Sequence, residues 1–164
     1  MTSVSVDSSV VVDFHLTGNL SFFEDAFAGR MLISDFVEEE LGESDIRVLG
    51  AEIVPLTKDE EWNFLAELRN RKRGLGLGEL GAITVAKFHD ASLLTNDQQA
   101  RQTADDVGVS VSGAIGVLEY GVAVGKLSGQ AAVKILEDMI GAGAWISKDL
   151  LEMFRRKMAR AEEE

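Results

Sequence analysis

Apolar and polar positions follow two rhythms along the chain. Short apolar runs at residues 4–7, 31–33, 51–56, 92–95 and 109–111 read as strands, and the stretches between them carry apolar residues at helical spacing. Residues 9–27 read as two short helices parted at Gly18-Asn19, with Asn19 as the cap of the second. Ser34 caps a helix through Leu41, in which Val37 and Leu41 lie one turn apart and Gly42 is the stop. Thr57 caps a helix from Lys58 to about Asn70 that carries Trp62, Leu65 and Leu68 on one side. Leu80, Ile83, Thr84 and Phe88 mark another helix, and residues 97–106 the next. Helices then fill residues 114–124, 128–140 and 147–161, with breaks at Gly125 and at Gly141 to Gly143. Strands alternating with helices predict an α/β fold: a central, mostly parallel sheet of about five strands flanked by helices, with a helical C-terminal extension. In open sheets of this type ligands gather at the carboxyl ends of the strands.

A length of 164 residues predicts one domain, with a core over about 1–113 and a helical part over about 114–164. With 46% hydrophobic residues and one proline, the composition is that of a compact protein with few linkers. No apolar run approaches the roughly 20 residues of a membrane span, and the N-terminus lacks a basic stretch followed by an apolar one, so a cytoplasmic location is expected. The absence of cysteine excludes disulfides, thiol catalysis and thiolate zinc sites. His15 and His89 have no partner at metal-ligand spacing, so a bound metal must be held mainly by oxygen. The net charge of −12 disfavours broad binding to a polyanion. Local basic clusters remain at Arg69, Arg71, Lys72 and Arg73 and at Arg155, Arg156, Lys157 and Arg160, although such runs also occur as solvated helix faces.

Four carboxylates stand where these elements begin or end. Asp7 closes the first apolar run, Glu40 lies in the third helix, Glu79 opens the central helix and Asp97 follows the fourth run. Asp7 and Asp97 fall at the carboxyl edge of the sheet if the strands are as read. Each acid also has a plain structural role. Asp7 and Asp97 can cap the next turn or helix, and Glu79 in a first helical turn is favoured by the macrodipole. Glu38, Glu39 and Glu40 can form a solvated face, of which at most one residue points inward, because neighbours on a helix diverge by about 100°. Residues 76–81 formally match G-x-G-x-x-G, but a polar helix tail precedes them where a dinucleotide site needs a strand. Gly74, Gly76 and Gly78 are better read as a flexible approach that lets backbone meet a phosphate.

The segments Val6-Asp7-Ser8-Ser9, SDFVEEELG (34–42), GLGELGAITVA (76–86) and LLTND (93–97) resemble those of PIN-domain nucleases. More narrowly, the helix start of the type G-x-G-E-x-x-A-I resembles a PIN-like branch of predicted nucleic-acid-binding proteins. The resemblance covers about the first 113 residues in order and extends to the helical stretch 113–125. It implies a PIN-like three-layer fold and a metal-dependent ribonuclease, often the toxin of a toxin–antitoxin pair. It also implies an RNA substrate, an antitoxin partner by analogy, and a homodimer. Asp7, Glu40, Glu79 and Asp97 match the family's catalytic and metal-binding acids, and Ser9 and Asn96 match polar neighbours that hydrogen-bond ligand or carboxylate. Arg71, Lys72 and Arg73 are candidate phosphate contacts. Gln98 and Gln99 stand where some relatives carry a further acid, so one ion is better supported than two.

Converging carboxylates repel one another and raise their pKa values unless a cation neutralises them, and oxygen-only ligation selects Mg²⁺ or Mn²⁺. Two other classes stay open. One is an aspartyl phosphotransferase with Asp7 as nucleophile, although Ser9 stands where that class wants a second acid. The other is a non-catalytic nucleic-acid- or protein-binding protein, which the acidic surface favours.

Overall fold

A computed structural model of the chain describes residues 3–71 and 74–163. In order along the chain it contains β1 (Val4–Val6), α1 (Ser8–Leu16), α2 (Leu20–Ala26), β2 (Met31–Ser34), α3 (Asp35–Glu43), β3 (Glu52–Val54) and α4 (Asp59–Arg71). There follow α5 (Leu77–Phe88), β4 (Ser92–Leu94), α6 (Gln98–Asp106), β5 (Val111–Ser112), α7 (Ala114–Ala123), α8 (Gly129–Gly141) and α9 (Lys148–Glu163).

The five strands pair in the order β3-β2-β1-β4-β5, and every pairing is parallel. The chain steps outward from β1 to β3, then returns through α4 and α5 to place β4 on the other side of β1. Strand order therefore reverses between β1 and β4, and the connections leaving those two strands diverge. A crevice opens at the carboxyl ends of such a pair. Val6 is paired with Leu94, so the residues just beyond, Asp7 and Thr95, emerge side by side.

β1 and β2 are buried along their whole length, as expected of parallel strands covered on both faces. Helix α5 covers β1, β2 and β4 and is flanked by α3, α4 and α6. Its Leu80, Ala82, Ile83, Val85 and Ala86 are all fully or almost fully buried. Two hydroxyls buried with them are satisfied: Ser5 Oγ donates to the Ala82 carbonyl at 2.7 Å and Thr84 Oγ1 to the Leu80 carbonyl at 2.7 Å. A second group of helices packs through α1 on α2 and α8, α7 on α8, and α8 on α9. Phe14, Phe22, Phe23, Phe27 and Tyr120 form its aromatic centre, and Leu136, Met139, Phe154 and Met158 continue the same core into the C-terminal helices. No helix among the described residues is long and apolar enough to cross a membrane.

Several helix ends differ in detail from expectation. α3 runs through Gly42 to Glu43, and the chain turns at Asp45, whose φ is 56°. Asn19 precedes α2 without capping it, because its side-chain amide donates backwards to the Thr17 carbonyl at 2.9 Å. At α4 the capping acceptor is not Thr57 but the buried Glu61, which reaches back to the N–H groups of Thr57 and Lys58 at 3.3 and 3.0 Å. The carboxylate one turn in serves the N–H groups at the entry to the helix, which a Thr57 hydroxyl could not reach.

Candidate functional site

Asp7 follows the last residue of β1 and is 2% exposed. Its backbone N–H continues the sheet ladder by donating to the Leu94 carbonyl at 2.9 Å, which fixes the Cα at the β1–β4 crevice. Its carboxylate caps α1: Oδ1 accepts from Ser8 N at 2.9 Å, while Oδ2 accepts from Ser9 Oγ at 2.9 Å and Thr95 Oγ1 at 2.7 Å. Thr95 is fully buried and also accepts from the Asp97 N–H at 3.2 Å. One hydroxyl thus ties the acid at the end of β1 to the acid after β4. Asp97 Oδ1 in turn caps α6 by accepting from Ala100 N at 2.8 Å.

The other two acids arrive on helices. Glu40 lies near the end of α3, and its Oε2 accepts from Ser8 Oγ at 2.8 Å, which brings it beside Asp7. Glu38, two residues earlier, lines a separate cavity with Ile46 and Ile53, so Glu40 is the member of the glutamate run that faces the crevice. Glu79 sits in the first turn of α5 and its Oε2 accepts from the Gly76 N–H at 2.8 Å, capping the helix it belongs to. Gly78 explains how α3 and α5 meet here: a Cβ at that position would collide with the Glu40 carboxylate. At Gly74 a Cβ would come within 2.7 Å of the Gln99 side chain. Protein side chains therefore fill the space beside Gly74 and Gly78, which corrects the expectation of a flexible, phosphate-facing loop.

Electrostatics show that these four acids form one cluster. The Asp7 carboxyl is held above its ordinary pKa, first by burial and further by the Glu40 charge, while the hydrogen bonds from Thr95, Ser9 and Ser8 oppose the shift. Glu79 is also raised, first by burial and then by the charges of Asp97, Asp7 and Glu40, against the pull of the Gly76 N–H. No basic side chain among the described residues forms an ion pair with any of the four. Uncompensated negative charge from an all-oxygen donor set is what a hard divalent cation relieves. Among the described residues, no three acid or histidine side chains are placed to grip an ion directly. Instead, each carboxylate accepts a hydrogen bond from a nearby donor, and the like charges stand apart. The donor chemistry fits Mg²⁺ or Mn²⁺ held in part through water, as Mg²⁺ commonly is.

The remaining candidates divide. Ser9 is in the cluster, donating to Asp7 and accepting from the Asn96 N–H at 3.0 Å. The Asn96 side chain is committed to the protein: Nδ2 donates to Asp13 Oδ2 at 2.6 Å and Oδ1 accepts from Ala114 N at 2.8 Å. Arg71 lies away from the acids, paired with Glu67 at 3.3 Å and lining a hollow with Thr103 and Asp106 in the second half of α6. Lys72 and Arg73 lie outside the described residues. His15 and His89 are exposed. Sequence reasoning passed over Thr95, Ser8 and Asp13. Thr95 carried one usable signal, its place at a strand end two residues before an acid. Asp13, one helical turn beyond Ser9, has its pKa raised by burial, against the hydrogen bond from Asn96.

A family model described as a PIN domain matches residues 3–160, nearly the whole chain. No curated protein matches the chain.

Proposed function

The chain belongs to the PIN-domain family, a nuclease-type fold, and from that premise we propose that it is a ribonuclease hydrolysing RNA phosphodiester bonds with Mg²⁺ or Mn²⁺. The observation that carries this reading is the convergence of Asp7, Glu40, Glu79 and Asp97, from four different elements, at the β1–β4 crevice, where no basic side chain among the described residues pairs with them. These four side chains would hold the ion. When bound, it would lower the pKa of attacking water and offset charge developing on the phosphate.

The chain's own residues supply position. Thr95 and Ser9 aim Asp7, Ser8 holds Glu40, and the capping bonds at α5 and α6 orient Glu79 and Asp97. Outer hydrogen bonds of this kind typically govern metal affinity or activity by about 10–100-fold. The phosphotransferase reading has less support. Ser9 stands where that class wants a second acid, and its hydroxyl donates to Asp7 Oδ2 at 2.9 Å. A toxin role is part of the proposal, with a basic amphipathic antitoxin peptide docking on the C-terminal helices or acidic rim and the enzyme acting as a homodimer in the cytoplasm. The non-catalytic reading draws on one observation, that each acid already has a protein hydrogen bond.

Cleavage of single-stranded RNA with Mg²⁺ or Mn²⁺ separates these readings. Wild type should cleave, and Asp7→Asn and Asp97→Asn should each lose at least about a hundredfold while remaining folded. Variants as active as wild type would remove the acids from the site. Tight metal binding without cleavage would favour the non-catalytic protein.

A further inference from the structure

A second hollow adjoins the acid cluster. It has a volume of about 540 Å³, and its walls include Asp13, Asn96, Arg101, Gly113 and Trp145. That size suits one small-molecule-sized unit, since such sites run to about 300–1,000 Å³. The hollow neighbours the cluster through Asn96, which lines it, donates its N–H to Ser9 Oγ at 3.0 Å and is followed directly by Asp97. We propose that this cleft binds one nucleotide of a single-stranded RNA, with Arg101 on a phosphate and the Trp145 indole stacked on a base. The proposal rests on the nuclease reading and adds where the strand runs.

Three observations support it. Arg101 lies one turn beyond Asp97, the N-cap of α6, and its N–H donates to the Asp97 carbonyl at 3.0 Å. It has no acidic partner among the described residues, whereas Arg71, Arg155 and Arg156 all do. Gly113 keeps its place open: a Cβ there would come within 2.6 Å of Arg101 Nη1 and 2.8 Å of Asn96 Oδ1. In a chain of net charge −12, a guanidinium with no acidic partner among the described residues, one turn beyond Asp97, is suited to a passing phosphate.

Trp145 supplies the second group. It is 102% exposed, so its indole buries nothing in this fold although it stands on the wall of a cleft. An aromatic face beside a cation is how single strands are gripped, because every base has a π-face and the charge follows the backbone. Paired bases in a duplex are stacked inside and cannot reach such a ring. Asp13, on the same cleft, repels phosphate and can accept from a base amino group or a 2′-hydroxyl, which sets the strand's orientation.

The test measures binding of a fluorescein-labelled single-stranded RNA octamer by anisotropy in the Asp7→Asn protein, which leaves the RNA intact. Adding Trp145→Ala or Arg101→Ala should weaken binding about tenfold each, and Trp145→Phe should restore most of the loss. An octamer with an abasic position at the stacked base should bind equally with and without the indole. In the cleaving wild-type background, Trp145→Ala should raise KM with little change in kcat. Unchanged octamer affinity in both alanine variants, with wild-type cleavage intact, would overturn the subsite and leave the nuclease standing. Wild type that neither binds nor cleaves RNA would overturn both. Octamer affinity unchanged while Trp145→Ala dissociates a dimer would assign the indole to a subunit contact and also overturn the subsite.

Discussion

The two edges of the sheet treat charge in opposite ways. At the amino edge, Arg30 stands just before β2 and its Nη2 donates to the Ala26 carbonyl at 3.0 Å and to the Tyr120 hydroxyl at 2.6 Å. Its guanidinium carbon lies 5.4 and 5.3 Å from the stacked rings of Phe27 and Tyr120. At the carboxyl edge, four acids crowd one crevice, and Asp7 and Glu79 are pushed above their ordinary pKa, first by burial and then by neighbouring carboxylates. The first arrangement satisfies a half-buried charge with donors, acceptors and rings. The second gathers like charges that no basic side chain among the described residues pairs with, the kind of perturbed cluster that supports the metal proposal.

Three changes would break or sharpen this contrast. The largest effect is expected of Thr95→Val, which removes the hydroxyl shared by Asp7 and Asp97. RNA cleavage should fall about 10–100-fold, and stability by about 1–3 kcal/mol because a buried acceptor and donor lose their partner. Thr95→Ser should restore both in the same assays. Arg30→Met should act at the other edge alone, costing about 1–2 kcal/mol in chemical denaturation while cleavage stays within about twofold.

The smallest effect concerns pH. Asp7 and Glu79 have raised pKa values in the folded protein, so below the ordinary carboxylate range their protonated forms cost the fold nothing. As pH rises from about 4 through the raised values, the unfolded chain releases those protons first and stability declines. Without divalent ions, Asp7→Asn should flatten that decline and raise Tm at pH 7 by about 2–4 °C, which corresponds to about 1 kcal/mol for a chain of this size. Mn²⁺ should flatten the decline in wild type and do little for the variant.

Much of the fold was legible because its signals are local. Apolar runs separated by helical patterns located β1, β2 and β4 nearly to the residue, and Ser34 and Asp97 do cap the helices they precede. What stayed hidden depends on contacts distant in sequence. Glu61 folds back one turn to accept from the Thr57 and Lys58 N–H groups, and Gly78 is glycine because Glu40, from another helix, needs the space. The acids illustrate the same limit from the other side. Asp7 and Asp97 perform the capping role that the plain structural reading assigns them, Glu79 adds a cap where only the macrodipole was expected to favour it, and those caps also aim all three into one crevice. Position at strand and helix ends was visible in the chain. The strand order that unites those ends was not, since nothing local records that β4 returns beside β1. Thr95 and Trp145 went unread for a related reason: a hydroxyl's partner and an indole's exposure emerge only in three dimensions.

The most direct measurement is an anomalous difference map from crystals of the protein grown with Mn²⁺. A peak within ligand or water-bridged reach of Asp7, Glu40, Glu79 and Asp97, lost in Asp7→Asn crystals, is the predicted result. Full Mn²⁺ occupancy elsewhere on the molecule, with no peak in the β1–β4 crevice, would contradict the account.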